Sequence, residues 1–179
     1  RNGSAAATPS LGVVGSGVAV SPSVLVRDAF NNVVSGASVT FAVATGGGSV
    51  TGGSATTNGS GRAAGGGGTL GTAAGCTDLT ATTGALTPVT FTATATAATA
   101  SSIALNAGNG QSATVNAAVA TAPSVVVRNA FNNPVSGVSV TFAVATGGGS
   151  VTGGSATTNA SGIAAVGSWT LGTAAGSNT

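Results

Sequence analysis

One stretch of this chain occurs twice. The string from Pro22 to Asn58, PSVLVRDAFNNVVSGASVTFAVATGGGSVTGGSATTN, returns from Pro123 to Asn159 as PSVVVRNAFNNPVSGVSVTFAVATGGGSVTGGSATTN. The offset of 101 residues holds without a gap to the end of the chain, with 45 identities over the 56 positions compared. A repeat constrains the architecture before any local reading does, because each copy carries the information for the same unit. A period this long does not suit a solenoid coil or a propeller blade. It matches one β-sandwich domain of about 100 residues. The chain reads as tandem copies of a single domain, residues 1–98 and 99–179.

The copies are unequal. After Thr77, copy one continues with DLTATTGALTPVTFTATATA, whereas copy two stops at Thr179, where that ending would start. Copy two opens with Ile103 and Leu105 in an alternating run, and these align with Asn2 and Ser4 of copy one, so the first short strand reads as lost there. The expectation is either a segment of a longer array or a subunit whose ends are completed by neighbours.

Local patterning is β throughout. Val39, Phe41 and Val43 alternate with Ser38, Thr40 and Ala42, and Val140, Phe142 and Val144 repeat the pattern. Phe91 stands in a run from Val89 to Thr96, with Val and Ala on one face and Thr on the other. Alternation with a period of two is the mark of a half-buried strand. Val39, Phe41, Val43, Phe91, Val140, Phe142, Val144 and Trp169 are therefore predicted to mark the core. Asn and Gly clusters such as Phe30-Asn31-Asn32 and Gly46-Gly47-Gly48 punctuate the runs, because these residues accept positive φ at low cost. A short linker is expected at about residues 97–101, and no stretch has the apolar period of a capped helix.

The run from Pro123 to Phe142, followed by the segment from Thr158 to Thr179, resembles the group 1 bacterial immunoglobulin-like domain of invasin- and intimin-like surface proteins. Copy one carries most of the same signature stretches. The resemblance implies an all-β fold of two tandem immunoglobulin-like Greek-key β-sandwiches, the second lacking its final strands. It also implies an extracellular or cell-surface setting, where such domains serve as spacers or adhesive stalks and rarely as enzymes. Copy one departs from the pattern at Arg62, Gly65 and Gly68, where copy two has Ile163, Val166 and Trp169. Losing a buried Trp and Val typically costs several kcal/mol, so copy one is expected to be the weaker one or to be filled by a neighbour.

Composition removes most chemistry. The chain has four Arg, no Lys, two Asp, no Glu, no His and one Cys. It offers no imidazole base, no Glu general acid and no Schiff-base lysine, so no catalytic residue is assigned and an enzyme is not expected. No metal site or cofactor is expected either, since two Asp and one Cys do not build an ordinary zinc or calcium site. Four Arg make no basic face for nucleic acid, and no apolar run reaches the ~18 residues of a membrane span.

The remaining sites have plain readings beside sharper ones. Asp28 with Asn31 and Asn32 suggests a cation loop, but copy two has Asn129, Asn132 and Asn133, so a turn is the better reading. Asn2, Asn58 and Asn159 match the glycosylation triplet, and turn chemistry accounts for them without sugar. Cys76 aligns with Ser177 and reads as a small strand residue, with an intermolecular disulfide as the alternative. The Thr ladder from Thr90 to Thr96 reads as a solvent face, not an ice-binding array, because no short coil repeat supports the latter. Trp169 reads as core, not as a sugar-stacking platform.

Ala, Gly, Ser and Thr supply 116 of the 179 residues. Small uncharged side chains allow close packing, and so few charges leave little repulsion between subunits. The leading expectation is a structural extracellular protein forming a stalk or self-assembling filament, with strand donation between subunits as its mechanism. Its partners are then copies of itself or adjacent domains. The alternative is an adhesin segment that binds a surface glycan or protein through loop tips such as Asn31–Asn32 and Asn132–Asn133.

Overall fold

The structure, a computed structural model, describes residues 10–179. Asn2 and the strand expected to be lost near it lie outside the described residues. The chain divides into two compact units, one running to Ala97 and the other from Ala98 to Thr179.

The first unit contains β1 (Ser10–Val13), β2 (Ser23–Leu25), β3 (Ser38–Thr45), β4 (Gly48–Val50), β5 (Ser54–Thr56), β6 (Arg62–Ala64), β7 (Gly68–Leu70), β8 (Gly75–Thr82) and β9 (Val89–Thr96). One sheet has the order β1-β9-β8-β3-β5, and the pairs β2-β6 and β4-β7 form the facing layer. Within the five-stranded sheet β1 runs parallel to β9, while the remaining neighbours are antiparallel. The register explains the sequence alternation. Phe41 stands opposite Ala81, which stands opposite Val89; Val43 stands opposite Leu79, which stands opposite Phe91. Rows of apolar side chains thus cross three strands on one face, as cross-strand packing requires. The core joins Val39, Phe41 and Ala81 of this sheet to Val24, Val26 and Ala63 from the other layer. Phe41 is 2% exposed, and enclosing a side chain of that size contributes about 1.5–3 kcal/mol. The result is an all-β, immunoglobulin-like Greek-key sandwich.

The second unit contains β10 (Ala100–Ala107), β11 (Ser124–Asn129), β12 (Ser139–Thr141), β13 (Gly149–Thr152), β14 (Ser155–Thr157), β15 (Ile163–Ala165) and β16 (Ser168–Leu171). The expected linker ends early, since Ala100 and Ser101 already belong to β10. The registers of the first unit recur: Val125 faces Ala164 as Val24 faces Ala63, Val140 faces Ala156 as Val39 faces Ala55, and Val151 faces Trp169 as Val50 faces Gly68. The sheets are smaller: β10-β11-β15, β12-β14 and β13-β16. Among the described residues, no strand corresponds to β8 or β9.

That difference propagates. β3 has eight residues, held between β5 and β8, whereas β12 has three and pairs with β14 alone. Residues 111–114, aligned with β1, form no strand, because the partner of β1 is β9. There the Gln111 side chain ties the segment instead, donating to the carbonyls of Gly108 and Thr121 and accepting from the Thr121 amide.

Candidate functional site

The candidate site is the open edge of the second unit. Its core consists of Val127, Val140 and Ala164, with Val125, Val135, Val138, Phe142 and Ala156 packed against it. The first unit adds Ala81, Leu79, Val89 and Phe91, all from β8 and β9. Where no counterparts of those strands are present, Phe142 is half-covered, whereas its counterpart Phe41 is enclosed. Phe142 and Trp169 are only half-buried, although sequence patterning marked both as core. Val144 is half-buried too. Val140, at 9% exposure, is the best enclosed of the core markers in this unit. In the first unit Val39 and Phe41 are fully enclosed, while Val43 and Phe91 remain half-buried.

A cavity of about 320 Å³ lies along this edge, lined by Phe142, Val144, Val151, Val166, Trp169 and Thr179. The indole nitrogen of Trp169 is screened from solvent and has no hydrogen-bond acceptor. A buried N–H without a partner costs about 1–3 kcal/mol. The Thr179 carbonyl accepts from the amides of Ala145 and Thr146 at 2.6 and 2.9 Å. On β10, Ile103 and Leu105 are each 60% exposed. Apolar surface and an unpaired strand edge together are what a β-strand partner recognises.

The other sequence-selected residues separate into turns and an exposed thiol. Asp28 Oδ1 accepts from the amides of Phe30 and Asn32, and Oδ2 from the Asn32 side chain. These bonds, the Asn32 side chain first, hold the Asp28 carboxyl below the ordinary range. Asn129 builds the same turn, accepting from the amides of Phe131 and Asn133. Asn31 and Asn132 adopt φ of 70° and 66°, which explains Asn at both positions. Asn58 and Asn159 each accept two amide bonds within their own loops, to Ser60 and Arg62 and to Ser161 and Ile163. Cys76 is an exposed free thiol on β8. The Thr ladder lies mostly on the outer face, where Thr92 donates to Asp78.

Among the described residues, no group of three His, Cys, Asp or Glu side chains converges. No helix among them is long and apolar enough to cross a membrane. Sequence reading missed the exposed aromatics at the loop tips: Phe30 is 86% exposed and Phe131 46%. Their signal was present in the Ala-Phe-Asn-Asn string of both copies, where an aromatic residue sits inside turn residues.

No protein-family model and no curated protein matches the sequence. Solved structures are similar in fold. The fold is similar to the "D0-D1 domain of Intimin", with a TM-score of 0.43 and 20% identity over 95% of this chain and 84% of that one. It is similar to InvD of Yersinia pseudotuberculosis, with a TM-score of 0.47 and 14% identity over 92% of this chain and 51% of that one. A further similarity is to domains 4-9 of the surface layer protein SbsC, with a TM-score of 0.36 and 16% identity, covering 94% of this chain and 26% of that one. The chain therefore spans about half the length of InvD and about a quarter of the SbsC fragment.

Proposed function

We propose that this chain is a structural segment of a bacterial surface protein, an array of immunoglobulin-like sandwiches forming a stalk or filament. In this reading the open edge of the second unit is completed by a β-hairpin with the pattern of β8 and β9, donated by a neighbouring subunit. The single observation that carries the reading is the half-covered inner face of Phe142, Val144 and Trp169 beside the unpaired edge of β12. A donated hairpin would satisfy backbone groups along that edge and enclose alternate side chains. The near absence of charge supports close approach of copies, since only four Arg and two Asp oppose or steer it.

A second reading is supported by the exposed Phe30 and Phe131 at equivalent loop tips. Exposed aromatics beside Asn side chains suit contact with a surface glycan or protein. On this reading the chain is an adhesin segment and acts as a dispersed monomer.

Electron microscopy and light scattering over one dilution series distinguish the two. The expected result is filaments that shorten on addition of a peptide spanning residues 75–96, with a change in Trp169 emission as the peptide covers it. Monomeric particles at every concentration, with Trp169 emission unmoved by the peptide, would reject strand donation and leave the adhesin reading.

A further inference from the structure

The first unit holds a cavity of about 150 Å³ between its layers. Gly68 lies on its wall, together with Val18, Val43, Val50, Leu70, Leu79 and Phe91. The repeat identifies what is missing. Gly68 aligns with Trp169, and both stand opposite the same residue of the paired strand, Val50 in one copy and Val151 in the other. Trp169 lines the corresponding space of the second unit with Val144 and Val151, the counterparts of Val43 and Val50. The first unit has the walls supplied by β8 and β9 without the indole, and the second has the indole without those walls.

Gly65 and Gly68 are both approached closely by their neighbours. At Gly65, the counterpart of Val166, the ring of Phe41 and the ring of Pro22 have closed in, leaving 3.1–3.3 Å to a would-be Cβ. At Gly68 the nearest atoms to a would-be Cβ are the Ser49 carbonyl oxygen at 3.0 Å and a Val18 methyl at 3.4 Å. A side chain there needs the Ser49 backbone to shift by a few tenths of an ångström, and Gly68 itself borders the cavity.

We infer that this cavity is a binding site for a small uncharged aromatic molecule, of the single-ring class. Its volume of about 150 Å³ is enough for a single aromatic ring, and its rim at Val20 and Ser21 is open to solvent. No charged side chain lines it. Most of the wall hydroxyls have partners: Ser49 and Thr69 bond each other at 2.8 Å, Ser23 accepts from Arg62 at 3.3 Å, and Thr77 donates to the Gly46 carbonyl at 3.5 Å. A ligand that brings charge or many hydrogen-bonding groups loses its hydration without recompense there. A flat apolar ring restores the contacts that Trp169 makes in the sister copy.

The test is thermal unfolding of the full chain with benzene and toluene titrated in, read by circular dichroism and by Trp169 emission. A ligand that binds only the folded form raises the melting temperature in proportion to its occupancy. The expected result is a rise in the transition of the first unit, with native Trp169 emission unchanged, because the only Trp lies in the second unit. Gly68→Trp should abolish the ligand-dependent rise. Should that variant fail to fold, Leu79→Phe fills the cavity from the β8 side and should reduce the rise severalfold. No rise in the native chain near benzene saturation would overturn the assignment. So would an undiminished rise in a folded filled variant, or a ligand response confined to Trp169.

Discussion

Asp28 and Asn129 stand at the same position of the repeat and tie the same turn. The carboxylate uses both oxygens, accepting from two amides and from the Asn32 side chain. Asn129 is 2% exposed and leaves its amide nitrogen without a partner. The turn therefore needs an acceptor at this position and does not need a charge. Linkage gives the sign of the pH effect. The Asp28 carboxyl lies below its unfolded value in the folded chain, so its stabilising contribution is present above that unfolded value of about 4. It is lost as pH falls through the lower folded value. Asp28→Asn should make the acid loss of stability of the first unit shallower below about pH 4, while leaving the turn intact. Urea melts of both proteins across that range check it, and parallel pH profiles would reject it. The turn was legible from Phe30-Asn31-Asn32 and its repeat. The asymmetry in burial between Asp28 and Asn129 was not, because it depends on what packs over each loop.

β3 and β12 show how far a strand's identity depends on its neighbours. Their sequences, SVTFAVAT, are identical over eight residues, yet one is a full strand and the other ends after Thr141. Hydrogen bonds from β8 fix the second half of β3, and β12 has no such partner among the described residues. Local propensity is equal, so tertiary pairing decides. The same mutation should therefore cost different amounts. Phe41→Ala removes a fully enclosed ring, and such changes cost about 3–5 kcal/mol. Phe142→Ala removes a half-covered ring and should cost about 1–2 kcal/mol on area grounds. Denaturant titrations of the single variants measure both. Equal costs would mean that Phe142 is as enclosed as Phe41 in solution.

At the scale of the whole chain, substitutions in copy one pointed to it as the weaker partner. Among the described residues, the first unit carries a cavity beside Gly68, and the core of the second unit has no counterpart of β8 and β9. Cores this small are marginal, since burial only narrowly exceeds the conformational entropy of ordering the chain. Unfolding should then occur in two steps. Trp169 emission should change at the lower denaturant concentration, and the remaining circular dichroism signal at the higher one. Coincident transitions by both probes would indicate one cooperative unit and reject this ranking.

The sequence by itself determined the repeat, the β period and the turn positions. Those properties are local: alternation and positive-φ residues are readable one segment at a time. Only the tertiary structure decided which apolar side chains are enclosed. Burial belongs to the partner across the sheet as much as to the residue itself. Phe41 is covered because Ala81 and Val24 reach it, and Phe142 is half-open because its sheet ends at β12. The cavity beside Gly68 is likewise invisible in the string Gly-Gly-Gly-Gly. It exists because Leu79 and Phe91, distant in sequence, bound a space in which the sister copy carries an indole.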